Sequence, residues 1–301
     1  MIGLIKKGSY LVFLSIALLL FTLPPFRQSW VAGIVLVPLL LLAGRKTSSW
    51  KNFLFGLLVG AFYYGIGLHW IISYNVRTYF IVLFCHLPFL GLFLGFTGLL
   101  LKRWPENILA NFLVPPVVWL VLSFIYEQTS LGGVGTQALF YQPIVWMQVC
   151  RYVGISGFVL LSVLLNSSIA LTIKFRTIKG FLPLVLTGAI FAGVFLFGRN
   201  AMADKFPTAK LVALIQHNFP VDPGWWIKNQ QNIAKQYRAL ALGAAKQKPS
   251  LIIFPSYRLP FDAYRDPRFF EDLARETGTY LLLDTYIPVV PNRRMEEVGR
   301  Y

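Results

Sequence analysis

Side chains able to move protons, attack as nucleophiles or bind metals are few in this chain, and they are scattered. Its 301 residues contain three histidines (His69, His86, His217) and two cysteines (Cys85, Cys150). Cys85 and His86 are adjacent, so on a helix they point to different faces and make a poor metal pair. Packing, or a hydrogen bond to a neighbouring helix, is the plainer role for His86, although an intramembrane histidine is also a default functional candidate. His69-Trp70 reads as an interfacial anchor or as a binding pair. The cysteines have neither the number nor the spacing of a disulfide framework or a zinc set. A more suggestive group is polar and follows short aliphatic runs: Gln216-His217-Asn218, Pro255-Ser256-Tyr257 and Asp284-Thr285. If the runs are parallel strands, these residues lie at strand carboxyl ends, where open α/β sheets bind ligands.

The elements that would position them can be read from the pattern after Pro207. Lys210–Gln216, Pro249–Pro255 and Tyr280–Leu283 are strand candidates. Between them, Trp225–Lys246 has helical apolar spacing through Trp226, Ile233, Tyr237, Leu240 and Ala244. Asp266-Pro267 opens a second helix, with Phe269, Phe270, Leu273 and Ala274 on its inner face and Gly278 as its stop. The order β-α-β-α-β implies a parallel or mixed sheet with helices packed on it. Asp222 reads as a turn residue or helix cap. Arg258, Arg265 and Arg268 are either a solvated face or an attractant for anionic headgroups. Lys235, Arg238, Lys246 and Lys248 read as solvated.

The preceding two hundred residues are of another kind. Over the whole chain 56% of residues are hydrophobic, 13% are charged and the mean hydropathy is +0.61. Average soluble domains are roughly 25% charged, so an ordinary cytosolic enzyme and a disordered chain are both excluded. The net charge of +16 is unevenly placed: residues 1–199 carry 14 Lys and Arg against two acids, and residues 200–301 carry 14 against ten. The boundary predicts a membrane domain over 1–199 and a mixed-charge soluble domain over 200–301. Seven apolar segments are legible: Ser9–Leu23, Trp30–Ala43, Phe53–Tyr74, Tyr79–Leu101, Ile108–Tyr126, Val153–Ile173 and Gly180–Gly198. The last five suit a bilayer span of about 20 residues; the first two are short spans or a re-entrant pair around Pro24-Pro25. No small-residue cleavage site follows the first segment, which argues against a signal peptide.

Basic residues set the orientation. Lys6, Lys7, Arg45, Lys46, Lys51, Lys102, Arg103, Lys174, Arg176 and Lys179 lie in alternate loops, against Arg27, Arg77 and Arg151 in the others. The bias predicts a cytoplasmic N-terminus and residues 200–301 outside the membrane. The positive charge is therefore a topology signal, and no nucleic-acid partner is expected. Gly91, Gly95 and Gly98 predict close helix contact, and Pro115-Pro116 a kink. The loop Glu127–Tyr152 is the longest and is expected on the outer side.

Together these stretches resemble the bacterial apolipoprotein N-acyltransferases, membrane-anchored members of the carbon–nitrogen hydrolase (nitrilase-like) superfamily. The resemblance rests on Gln216-His217-Asn218-Phe219-Pro220, on Trp225-Trp226 and Tyr237, and on Ile253 through Pro260. Leu281–Thr285, Gly65–Ile71, Gly154–Asn166 and the order of spans and soluble domain add to it. It implies a multi-pass α-helical membrane domain of about seven spans followed by the first part of an α/β nitrilase-like (αββα) domain. It also implies a place in the bacterial inner membrane, a phospholipid acyl donor, a lipoprotein acceptor and no cofactor or metal.

The family's chemistry uses a Cys that forms a thioester with the acyl group, a Glu as general base and a Lys that stabilises the oxyanion. The acyl group then passes to the α-amino group of a diacylglyceryl-cysteine. By resemblance the Glu position is occupied here by Ser256, which cannot serve as a base near neutral pH. The Lys and Cys positions lie beyond Tyr301. The Glu and Arg that follow the fifth-span Trp are also absent; after Trp119 stand Ser123 and Tyr126. Ser256 is then a remnant position or a plain turn serine. By the same resemblance Asn218, Pro220, Trp225, Trp226 and Tyr237 are substrate-binding candidates. For the tryptophans the plain alternative is a helix start with one ring packed in. The chain by itself is expected to be inactive. The alternatives are a non-catalytic lipid- or lipoprotein-binding scaffold, or half of a split enzyme whose sheet another chain completes.

Overall fold

The computed structural model describes the chain except for residues 1, 24–25, 27, 46, 130–143, 204–209, 217, 220–222, 255–266 and 284–301. It forms two compact units, Met1–Lys205 and Phe206–Tyr301.

The first unit is helical. Its elements are α1 (Ile2–Thr22), a 3-10 turn (Ser29–Gly33), α2 (Val37–Ala43), α3 (Ser49–Gly67), a second 3-10 turn (His69–Ser73), α4 (Val76–His86) and α5 (Pro88–Leu101). Then follow α6 (Ile108–Glu127), the single turn α7 (Ile144–Met147), α8 (Cys150–Phe175) and α9 (Ile178–Ala203). Among the described residues four helical stretches are long and apolar enough to cross a membrane: Val76–Leu101, Ile108–Glu127, Cys150–Phe175 and Ile178–Ala203. Gly8–Thr22 and Trp30–Ala43 are shorter apolar helices.

Polar caps begin these helices. Asn75 Oδ1 accepts from the Arg77 and Thr78 amides (2.8 and 3.3 Å), Asn107 Oδ1 from Ala110 (2.9 Å) and Ser48 Oγ from Lys51 (3.3 Å). Each satisfies an amide that no helical carbonyl reaches. The stretch Tyr79–Leu101, read above as one segment, is two helices joined at Leu87, whose backbone is still α-helical. Pro88 lacks an N–H but stands at the first turn of α5, where none is needed. The segment Phe53–Tyr74 is broken at Leu68 into α3 and a 3-10 turn. Pro115 and Pro116 lie inside α6 without ending it.

Glycines hold α3 against α5. A Cβ on Gly56 would collide with the Leu90 carbonyl, one on Gly60 would stand 3.0 Å from the Leu87 oxygen, and one on Gly91 3.0 Å from the Phe53 ring. Gly98 packs on the Asn52 amide. The seam predicted from Gly91, Gly95 and Gly98 therefore exists, and its counterparts are Gly56 and Gly60. A different device closes the break between the first 3-10 turn and α2. Asn166 of α8 is buried and donates to the Ala32 carbonyl (2.8 Å) and the Ser162 carbonyl (2.9 Å), while its Oδ1 accepts from the Leu36 amide (2.8 Å). One side chain thus replaces the helical bonds lost on both sides of the interruption, which apolar surroundings would otherwise penalise.

The second unit contains β1 (Val212–Leu214), α10 (Pro223–Ala245), β2 (Leu251–Ile253), α11 (Arg268–Thr277) and β3 (Tyr280–Leu282). The strands form a parallel sheet in the order β1-β2-β3, with Ala213, Ile252 and Leu281 in register. Those three side chains face a core made by Ile233, Tyr237 and Ala241 of α10 and Leu273 of α11. An exposed ion pair of Arg238 with Glu276 joins the two helices. Gly278 stops α11 in the left-handed region (φ 60°).

Candidate functional site

Because all three strands are parallel, their carboxyl ends share one edge of the sheet. Gln216 and Asn218 follow β1 at that edge, and the other two polar segments singled out in the sequence lie outside the described residues. Four aromatic rings connect the first two exits. Trp225, at the start of α10, lies 5.9 Å from Phe219; Phe219 lies 6.0 Å from Tyr237; Tyr237 lies 5.4 Å from Phe254, the residue after β2. Asn229 Nδ2 donates to the Trp225 carbonyl (2.8 Å) and fixes the first turn of α10.

Of the substrate-binding candidates, Asn218 is exposed and Trp225 is half-buried. Tyr237 is fully buried, so its ring packs the core beneath the strand ends. Pro220, Ser256 and the Trp226 side chain lie outside the described residues, as do His217, Asp222 and Asp284. Asn218 and Trp225 flank the β1–α10 connection, with Phe219 linking Trp225 to Tyr237. Phe219 and Phe254 were quoted in the sequence motifs without a role. The signal that could have assigned them one is their position: Phe219 stands three residues past the first strand candidate and Phe254 at the end of the second, each next to a proline.

A larger cavity lies elsewhere. It is an open groove of about 640 Å³ along α11 and β3, lined by Phe270, Ala274, Arg275, Thr279, Tyr280 and Leu283 among others. Its lining contains no cysteine, serine, lysine or histidine.

In the helical unit, the Nδ1–H of His86 donates to the Val82 carbonyl of its own helix (2.8 Å), and its ring tilts over Tyr64 at 5.7 Å. His86 therefore hydrogen-bonds within α4 and packs its ring across to α3. His69 Nδ1 likewise reaches the Ile66 carbonyl (2.7 Å), beside an edge-to-face pair of Trp70 and Tyr74. Trp146 packs α7 on α9, its indole donating to the Phe191 carbonyl (3.3 Å). No group of three His, Cys, Asp or Glu side chains converges among the described residues.

The helices that carry these contacts also carry the decisive comparison. Residues 15–168 match the family model of the apolipoprotein N-acyltransferase N-terminal domain. The chain belongs to this family. A curated relative, the apolipoprotein N-acyltransferase of Geobacter metallireducens, is 26% identical over 301 residues, covering 91% of this chain and 56% of the relative. The chain thus spans little more than half the length of that relative. The match to the apolipoprotein N-acyltransferase N-terminal domain takes in α2 through α6 entirely and ends two residues past Asn166. The glycine seam and the Asn166 clamp are therefore features of the family-matched part of the chain.

Proposed function

We propose that this chain supplies the membrane platform, and the first part of the extracytoplasmic nitrilase-like domain, of an apolipoprotein N-acyltransferase-like protein of the bacterial inner membrane. The activity of such a protein is transfer of an acyl chain from a phospholipid to the α-amino group of a lipoprotein's diacylglyceryl-cysteine. The observation that carries the reading is the joining, in one chain, of a family-matched helical unit to a parallel sheet whose strands directly precede the family-like segments in the sequence. In this reading the seven apolar segments cross or enter the bilayer with the N-terminus in the cytoplasm. In it Asn218, Pro220, Trp225 and Trp226 are substrate-binding residues, and the buried Tyr237 supports Trp225 through Phe219.

Residues 206–301 contain no cysteine, and Cys85 and Cys150 belong to the helical unit. With Ser256 at the family's Glu position, residues 1–301 lack both base and nucleophile at the strand ends. Alone they are a platform and not a catalyst. The experiment is an acyl-transfer assay with phospholipid and a diacylglyceryl-cysteine peptide, on purified residues 1–301 and on the polypeptide encoded with any in-frame continuation. No transfer is expected from residues 1–301; transfer by them would overturn the platform reading. Activity of the longer polypeptide supports the enzyme.

A second reading, a non-catalytic lipid- or lipoprotein-binding scaffold or one half of a split enzyme, is favoured by Ser256 itself. It predicts that a continued polypeptide stays inactive, and that Ser256→Glu restores activity only if the other catalytic groups are present.

A further inference from the structure

Most hydroxyls in the helical unit bond back to their own helix. Ser15 donates to Leu11 (2.8 Å), Ser162 to Phe158 (2.9 Å), Ser168 to Leu165 (2.8 Å), Thr172 to Ser168 (3.0 Å) and Thr187 to Pro183 (2.7 Å). Such bonds are the ordinary way to bury a helical hydroxyl in apolar surroundings. Ser123 of α6, which is 7% exposed, and Ser156 of α8, which is half-buried, make no such bond among the described residues. Both line one small enclosed cavity between α6 and α8, whose other walls are Trp119, Leu120, Val159 and Leu160. Trp119 is 2% exposed, and its indole Nε1 has no partner among the described residues. One buried donor without a partner and two serines that make no bond to their own helix therefore line one small space.

Their chemistry defines what fits. An indole N–H donates only, and a serine hydroxyl donates or accepts. The cavity measures about 10 Å³, which is about the room one oxygen atom of a water needs. The phenyl rings of Phe89 and Phe93 stand edge-to-face on Trp119 at 5.0 and 4.8 Å, so the indole is held in place and cannot turn to another acceptor.

The geometry points to a binding site for a single acceptor oxygen, held by Trp119 Nε1, Ser123 Oγ and Ser156 Oγ. The oxygen belongs to a water or to the ester carbonyl of a lipid that reaches in beside Leu120 and Leu160. Its occupant ties α6 to α8 just after Gly154, where α8 departs from helical geometry (φ 66°, ψ 178°). The site thus fixes the direction of α8 immediately beyond its break.

The test uses the full chain in lipid nanodiscs with ¹⁵N-labelled indoles. Of the eight tryptophan signals, that of Trp119 is assigned as the one lost in Trp119→Phe. If that variant does not fold, it is assigned as the one moved by both Ser123→Ala and Ser156→Ala. The expected result is a downfield, hydrogen-bonded indole signal that shifts upfield in either serine variant. Each serine variant should also melt lower, by about 2–4 °C. In ester-lipid nanodiscs, a cross-peak to the water resonance identifies water. Loss of the downfield position in diether phospholipid, which has no ester carbonyl, identifies the lipid. An indole signal at the free position, unmoved by both serine variants, would overturn the site. So would melting temperatures that stay level or rise, as removal of an unbonded buried hydroxyl would give.

Discussion

The two units solve the problem of inside and outside in opposite ways. In the α/β unit the pattern is binary. Ala213, Ile252 and Leu281 face the helices, while Val212, Leu214, Tyr280 and Leu282 face away, with Tyr280 83% and Leu214 74% exposed. In the helical unit apolar residues lie on every side: Phe13, Phe84 and Ile178 are as exposed as many polar residues, while Leu19 and Phe93 are wholly buried. Water sorts side chains on the helices of the first unit, where Ile233, Tyr237 and Ala241 are buried and Lys235, Gln236 and Arg238 are exposed. In the second, hydrophobicity cannot, because lipid is as apolar as the core. Packing is specified instead by the absence of side chains, at Gly56, Gly60, Gly91 and Gly98, and by a few polar groups such as Asn166 that complete broken backbone bonds. The lesson is that the least hydrophobic residues of the membrane unit carry its specificity.

The contrast is sharpest where glycine meets backbone. Gly56→Leu should abolish folding of the helical unit, at a cost of about 3 kcal/mol or more, because the new side chain meets the Leu90 carbonyl and not a movable tip. Size-exclusion profiles in detergent would read this as loss of the monodisperse peak. Asn166→Leu keeps the volume and raises hydrophobicity, yet should cost about 2–4 kcal/mol by leaving the Ala32 carbonyl and the Leu36 amide unpaired. A thermal melt equal to the parent's would break the claim that polar groups, rather than apolar volume, specify this unit. Gly154→Ala should cost about 1–2 kcal/mol purely through its positive φ, since a Cβ there meets nothing within 4 Å. An unchanged melt would mean that α8 can run straight through this point.

The smallest effect is expected on the other unit. Leu214→Lys on the exposed sheet face should change the stability of residues 1–301 by less than about 0.5 kcal/mol and reduce their aggregation. A parallel sheet is normally covered on both faces. In a longer polypeptide that carries the rest of the domain, the same substitution should therefore become clearly destabilising. Equal, negligible effects in both contexts would sink the idea that further polypeptide completes this unit.

Much of this could be read from residues alone, and the failures have physical causes. The β-α-β-α-β order was legible because strand and helix periods differ and because Pro and Gly punctuate them. The Gly91–Gly95–Gly98 stripe was legible because its meaning is local. Its partners on α3 were not, since nothing in the sequence pairs two helices. Asn166 stood inside a family-like segment, but its bonds reach residues 130 and more positions away. The break at Leu68 was hidden by apolar residues on both sides of it, His69 and Ser73 being too few to interrupt the run. At the strand ends, Asn218, Trp225 and Tyr237 were named from a resemblance. The structure adds the Phe219 and Phe254 rings that link them, and makes Tyr237 a foundation rather than a surface.

Lys174 carries a final consequence. It was counted above among the basic residues that orient the chain, yet its ammonium is engaged, donating to the Pro105 carbonyl (2.7 Å) and to Asn111 Oδ1 (2.9 Å). Asn111 in turn donates to the Asn107 carbonyl (2.8 Å). The lysine therefore latches the end of α8 to the beginning of α6. Charge-swap experiments are the usual means of inverting a membrane protein's insertion. At this position a swap would undo a joint as well as move a sign, and inversion could not be told from unfastening. Lys179 or Arg103, which have no such latch among the described residues, are the positions at which charge alone can be moved.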